Sequence, residues 1–259
     1  MPARRFLRLA VILTPLWLPP LTAPPAAGQA LGVDQPREYA DCMALARARP
    51  GDALDRALAW DALGGGEPAK HCAAVALIGL GRYEAAARRL ERLAQDMVAA
   101  TRGLRAGVLA QSAQAWLMAG EAARAVAAQS AALTLDPDNV ELLIDRSIAL
   151  ATAGSYWMAL DDLNGALDLA PERADILILR ASAFRYLDAL DLAGDDIERA
   201  LRLDPDNPDG LLERGILRRL AGDAARARED WLRVLEIADG APAADAARAN
   251  LEKLDVNVE

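Results

Sequence analysis

A period of 34 residues runs through the C-terminal half of the chain and constrains what it can fold into. Pro137, Pro171 and Pro205 are spaced by 34, and so are Leu133, Leu167, Leu201 and Leu235. Ala125, Ala159, Ala193 and Ala227 keep the same interval. Gly120, Gly154 and Gly222 fall on this grid too, with Asp188 in the remaining slot. Several columns sharing one period mark a supersecondary unit repeated in tandem. Such a unit cannot bury its apolar face alone and must stack on its neighbours.

Each unit reads as two helices. In the fourth, Leu142, Leu143, Ile144, Ile148 and Leu150 recur at helical spacing, predicting helices over 139–153 and 156–169. Gly154 closes the first by taking the left-handed conformation. Ala159 is small where the two helices cross, and Pro171 stops the second or starts the next. Asp and Asn side chains in Leu135-Asp136-Pro137-Asp138-Asn139 and Leu203-Asp204-Pro205-Asp206-Asn207 are N-caps for the following helices. Composition agrees: 53% of residues are hydrophobic but only 4% aromatic, a mix that suits closely packed helices and is poor for sheets.

The order of small residue, glycine, alanine and terminal proline at this period resembles the tetratricopeptide repeat family. The resemblance covers four units over about 105–239. Gly81-Arg82-Tyr83-Glu84-Ala85-Ala86 matches the family's glycine, aromatic and alanine turn in an earlier unit, and helix lengths near 37–63 indicate a first one. Gly81 to Gly120 is 39 residues, so about five extra residues lie near Met97–Arg102, as a longer loop or a helix extension. The family's glycine in the first helix survives only at Gly215; Ala113, Ser147 and Ala181 take its place elsewhere. The expected fold is all-α: a solenoid of about six stacked helix-turn-helix repeats with a C-terminal capping helix. Its parts are a leader over 1–30, a linker over 31–36, two degenerate repeats over 37–97, a connecting insertion over 98–104, four repeats over 105–239, and a capping helix and tail over 240–259.

The resemblance implies a concave wall of first helices that takes an extended peptide or a helix. By repeat phase, Gln114, Met118, Ile144, Ile148 and Ile178 line its earlier part. Ser182, Arg185, Leu212, Ile216 and Arg219 line the later part. Family members that clamp the acidic C-terminal tails of chaperones use Lys and Asn at groove positions. This chain does not supply that set, so the tail-clamp activity is not carried over.

The N-terminus reads as a targeting segment. Arg4, Arg5 and Arg8 precede an apolar run from Leu9 to Leu18, and small residues lead to Gly28-Gln29-Ala30. This is the layout of a secretory signal peptide, with cleavage expected after Ala30. The alternative, an uncleaved anchor, conflicts with the length of the run and its prolines, because a spanning helix needs ~20 apolar residues. The expected location is the bacterial periplasm. Arginine carries nearly all the positive charge, Lys70 and Lys253 being the only lysines.

The formal net charge of -9 argues against nucleic acid as a partner, since phosphate binding needs clustered Lys and Arg. Arg146, Arg180 and Arg214 form a basic column at the repeat spacing, and Asp162, Asp196 and Asp230 a matching acidic one. They read as pairs tying adjacent helices together, worth ~0–1 kcal/mol each if exposed. The rival reading is a guanidinium row gripping a carboxylate-bearing peptide. Cys42 and Cys72 lie on neighbouring first helices, and an exported protein meets oxidising conditions, so a disulfide is expected. Free thiols, or a metal site with His71 and Asp41, are the other readings. His71, the only histidine, has no nucleophile or acid placed beside it by spacing and reads as exposed or packed. Trp60, Trp116, Trp157 and Trp231 read as core or groove packing. No phosphate loop, nucleophile elbow or His-Glu-x-x-His occurs, so no catalytic residue and no cofactor is expected. The function classes are a non-catalytic adaptor binding a partner protein in the groove, or an accessory subunit of an envelope enzyme or secretion complex binding through patches outside it.

Overall fold

Punctuation residues set where the helices begin and end. In the computed structural model residues 35–256 are described, and they form thirteen α-helices. The expected leader, most of the linker and the last three residues lie outside the described residues. The N-terminal half holds α1 (Gln35–Ala48), α2 (Pro50–Ala62), α3 (Gly66–Gly79), α4 (Tyr83–Asp96), α5 (Arg102–Met118) and α6 (Ala122–Leu135). The other half holds α7 (Val140–Thr152), α8 (Tyr156–Leu169), α9 (Ala174–Tyr186), α10 (Leu190–Leu203), α11 (Pro208–Leu220), α12 (Ala224–Ile237) and α13 (Pro242–Val256). No strand occurs among the described residues.

Asn139 caps α7 by accepting from the Leu142 amide at 3.2 Å, and Asn207 caps α11 by accepting from Gly210 at 3.0 Å. Both caps are themselves braced: Asp136 accepts from the Asn139 side-chain amide at 2.8 Å, and Asp204 from that of Asn207 at 3.0 Å. The loop aspartates thus hold the capping asparagines instead of capping directly. At the turn inside every unit after the first the chain goes left-handed, with φ of +71° at Gly81, +78° at Gly120, +77° at Gly154 and +84° at Gly222, whereas Arg49 in the first turn stays extended at -145°. Asp188 completes the series at +61°, the one non-glycine residue with positive φ among the described residues.

Each helix packs on the next in the chain. Beyond that, α1 touches α3, and α5, α7, α9, α11 and α13 touch in succession. The odd-numbered helices therefore make one wall, and the even-numbered helices form the opposite face. Ala125, Ala159, Ala193 and Ala227 are completely buried where paired helices cross. Trp231 sits directly on Gly215, where an added Cβ would lie 2.3 Å from the indole nitrogen. That contact explains why a glycine survives in the first helix of this one unit. α13 buries Ala243, Ala244, Ala247 and Leu254 against the end of the stack and covers its apolar face.

The five extra residues resolve into helix more than loop. α5 has 17 residues where α7, α9 and α11 each have 13, which accounts for four of them. The fifth is in the preceding connection, Met97–Thr101, one longer than the later ones. Thr101 caps the lengthened helix by accepting from the Leu104 amide at 3.3 Å.

Candidate partner-binding wall

The wall is held in register by the arginine ladder. Arg146 donates to both oxygens of Asp162 at 2.8 and 2.6 Å, and Arg180 to those of Asp196 at 2.8 and 2.7 Å. Arg214 grips Asp230, which also accepts from Arg218 at 2.7 Å. The first two arginines reach back to the preceding unit as well, to Ser130 at 3.4 Å and Asn164 at 2.9 Å. The pairs differ from the exposed ones expected: Asp162, Asp196 and Asp230 are only 5%, 6% and 3% exposed. The helix crossing shields the acidic end, and the guanidiniums are committed to acceptors within the fold.

The ten residues expected along the groove fall into distinct classes. Gln114, Ile148, Ser182 and Ile216 share one column of the odd-numbered helices, and each is exposed or half-exposed. Met118 follows one turn later on α5 and is 54% exposed. Ile144 and Ile178 are corrected: at 6% and 8% exposure they belong to the core. They point between the helices, four residues before the exposed column, while Leu212 in the same column is half-buried. Arg185 is corrected too. It pairs with the buried Glu213, donates to Ser182 at 3.2 Å and lies 4.5 Å from the Tyr186 ring centre, so it is not a free groove cation. Arg219 is exposed and has no acidic partner among the described residues. Exposed Tyr186 and Leu220, at the repeat positions of Met118, extend the surface and were not expected.

The strip continues into a recess between α3 and α5. Gln111, Gln114 and Met118 are spaced i, i+3, i+7 and so share one face of α5. Gln111 lines a cavity of about 500 Å³ together with Tyr39, His71, Leu93, Met97, Leu104 and Val108. Gly103 and Leu104, from the added turn of α5, form part of its edge. His71 crosses the recess: Tyr39 donates to Nδ1 at 2.8 Å, and Nε2 donates to Gln111 Oε1 at 2.8 Å. Burial pushes the Tyr39 phenol above its ordinary range, which keeps it a donor. Histidine therefore works as a strut joining α1, α3 and α5, a role that spacing did not reveal.

Cys42 and Cys72 are joined by a disulfide, with Cα atoms 6.2 Å apart, so α1 is bonded to α3 beside this strut. Both sulfurs are thus oxidised and both imidazole nitrogens of His71 are engaged within the fold. Asp145 lies on the strip of α7, three residues before Ile148. Burial holds its carboxyl above the ordinary range, the neighbouring Gln129 amide opposes this, and the Glu141 charge adds to it. Trp60, Trp116 and Trp231 are buried, but Trp157 is 70% exposed and packs in neither core nor groove. Among the described residues no helix is long and apolar enough to cross a membrane.

No protein-family profile matches the sequence, and no curated protein matches it. Solved structures do. MamA from Desulfovibrio magneticus RS-1, residues 41 to the end, superposes with a TM-score of 0.56 at 22% identity, covering 66% of this chain and 94% of that one. TTC0263, a thermophilic tetratricopeptide repeat protein of Thermus thermophilus, gives 0.58 at 21%, covering 74% and 100%. YrrB, a tetratricopeptide repeat protein with an unusual peptide-binding site, gives 0.50 at 16%, covering 70% and 90%. At these identities the likeness shows the fold: an all-α helical repeat of the tetratricopeptide kind.

Proposed function

We propose that this chain is a non-catalytic adaptor of the bacterial periplasm that holds an extended or helical segment of a partner protein against its odd-numbered helices. The observation that carries the reading is an exposed strip along the odd-numbered helices, through Met118, Ile148, Ser182 and Ile216, that meets the braced recess at His71 through Gln111 and Gln114. A preformed groove binds such a segment without ordering itself first, which favours affinity. The similarity to YrrB, which has a peptide-binding site, supports this use of the fold. The leader expected over 1–30 supports export, and the disulfide suits an oxidising compartment.

Exposed positions supply the test, because charging buried Ile178 would unfold the stack. A photo-crosslinking side chain placed at Met118 or Ile148 in cells is expected to capture one partner, and Ile148→Glu to abolish that capture without lowering Tm. Crosslinking confined to Trp157, outside the wall, would overturn the reading. Mass spectrometry of the periplasmic fraction is expected to find a mature N-terminus at Leu31; an intact Met1 there would overturn export by cleavage.

A further inference from the structure

The even-numbered face of the first repeats carries a feature the adaptor reading does not use. A cleft of about 400 Å³ runs between α2 and α4, with Leu54, Leu58 and Leu77 as its apolar floor and Arg82, Arg88, Arg89 and Arg92 as its rim. Arg88 also lines an adjoining cleft of about 290 Å³, where Arg124 lies 4.7 Å and Arg88 5.6 Å from the ring centre of Trp116. The one carboxylate in that second cleft, Glu91, accepts from the Trp116 indole at 2.8 Å.

These guanidiniums stand out by what they lack. Arg88 pairs with Glu84 and Arg124 lies 3.8 Å from Glu121, but the side chains of Arg82, Arg89 and Arg92 make no ion pair or hydrogen bond among the described residues. The chain as a whole has 38 acidic residues to 29 basic, so acidic partners are plentiful elsewhere. Asp55 and Asp61 on the facing helix α2 make no ion pair with them. Like charges gathered on one cleft repel one another, a cost that an anionic occupant removes.

We propose that this cleft is a second docking site, taking an acidic segment of a partner protein that also carries aliphatic side chains. Carboxylates match the planar, forked guanidinium in geometry as well as charge. Aliphatic side chains of the same segment cover Leu58, which is 39% exposed, and the floor beneath it. An anionic bilayer is the weaker fit. It is flat where the cleft is recessed, and it would meet the acidic body of the protein over a wide area. A short segment senses only the local arginines, because charges beyond a Debye length of about 10 Å are screened.

The test uses the purified protein and a fluorescein-labelled synthetic peptide of Asp, Glu and Leu, read by fluorescence anisotropy. Binding is expected, with an affinity that falls as salt is raised from about 0.05 to about 0.5 M. The double variant Arg89→Ala/Arg92→Ala is expected to weaken it at least about tenfold, two charge-assisted hydrogen-bond partners being lost. Its thermal melt should match that of the parent protein, since neither arginine supports the fold. Ile148→Glu, on the opposite wall, is expected to leave this binding unchanged, which separates the site from the groove. Failure to bind the acidic peptide, equal affinity in the double variant, equal binding of a peptide with Lys in place of its acids, or binding of phosphatidylglycerol vesicles in preference to the peptide would each overturn the proposal.

Discussion

Arg180 closes a two-pronged hydrogen bond on Asp196, at 2.8 and 2.7 Å, between α9 and α10, with the carboxylate almost wholly out of water. The same bond recurs one repeat earlier and one repeat later. Its stability contribution therefore follows from burial of the acid, not from the partly hydrated guanidinium.

Removing that guanidinium strands a buried charge. Arg180→Ala is expected to destabilise the protein by about 2 kcal/mol, between the values for an exposed pair and for a fully buried one. Adding Asp196→Asn should recover part of the loss. Urea denaturation of the single and double variants checks both. A single variant with unchanged stability would contradict the account.

Asp188 occupies a glycine's place, with φ of +61°. No Cβ is free of strain there, although Asp tolerates the conformation better than most residues. Asp188→Gly is expected to stabilise by about 0.5–1 kcal/mol, the removed strain exceeding the added freedom of the unfolded chain. A rise in Tm by calorimetry is the readout, and a fall would show that the aspartate side chain contributes more than its strain costs.

Asp145 provides a pH dependence of unusual sign. Its folded carboxyl is held above the ordinary range, so the folded state binds the proton more tightly than the unfolded chain. Its contribution is therefore most favourable at low pH and worsens as pH rises from the ordinary carboxylate value through the raised one. Asp145→Asn is expected to have a higher Tm than the parent protein at neutral pH. The difference should shrink toward zero near about pH 3, below the ordinary aspartate value. A variant less stable at neutral pH would reverse the sign.

The Cys42–Cys72 bond closes a loop with a sequence separation of 30 at the start of the stack. Reduction, or Cys42→Ser/Cys72→Ser, is expected to cost about 3–4 kcal/mol in the chain-entropy picture. Repeat arrays are stabilised by neighbours, so the loss should be local. Hydrogen exchange should accelerate in α1–α3 and stay unchanged in α9–α12.

What was legible in the sequence was whatever the period repeats. The alanines at the crossings, the glycine turns and the Arg–Asp columns each recur three times or more, and one unit interprets the next. Side-chain contacts occurring once were mostly hidden, the Cys42–Cys72 bond, read from two cysteines on neighbouring helices, being an exception. Glu213 meets Arg185 across 28 residues, and His71 meets Gln111 across 40, neither interval being the period. Such contacts depend on how one unit leans on its neighbour, which spacing within a unit does not encode. The same limit misplaced Ile144 and Ile178. Phase puts them one turn from the exposed column on the same helices, and packing against the neighbouring helices takes them into the core. Trp157 failed for a different reason: its apolar character predicts burial, yet it is 70% exposed among the described residues.

The lengthened α5 carries a consequence for how such a molecule can change. Four residues are close to one full rotation of an α-helix. Added at the helix start, they leave every later side chain facing the direction it would have faced without them. The stack downstream is blind to the addition, while the overhanging turn supplies Gly103 and Leu104 to the edge of the recess. Growth or loss by whole rotations at this point can widen or shut the recess while the rest of the molecule stays as it is, so the spot is suited to trying out new occupants.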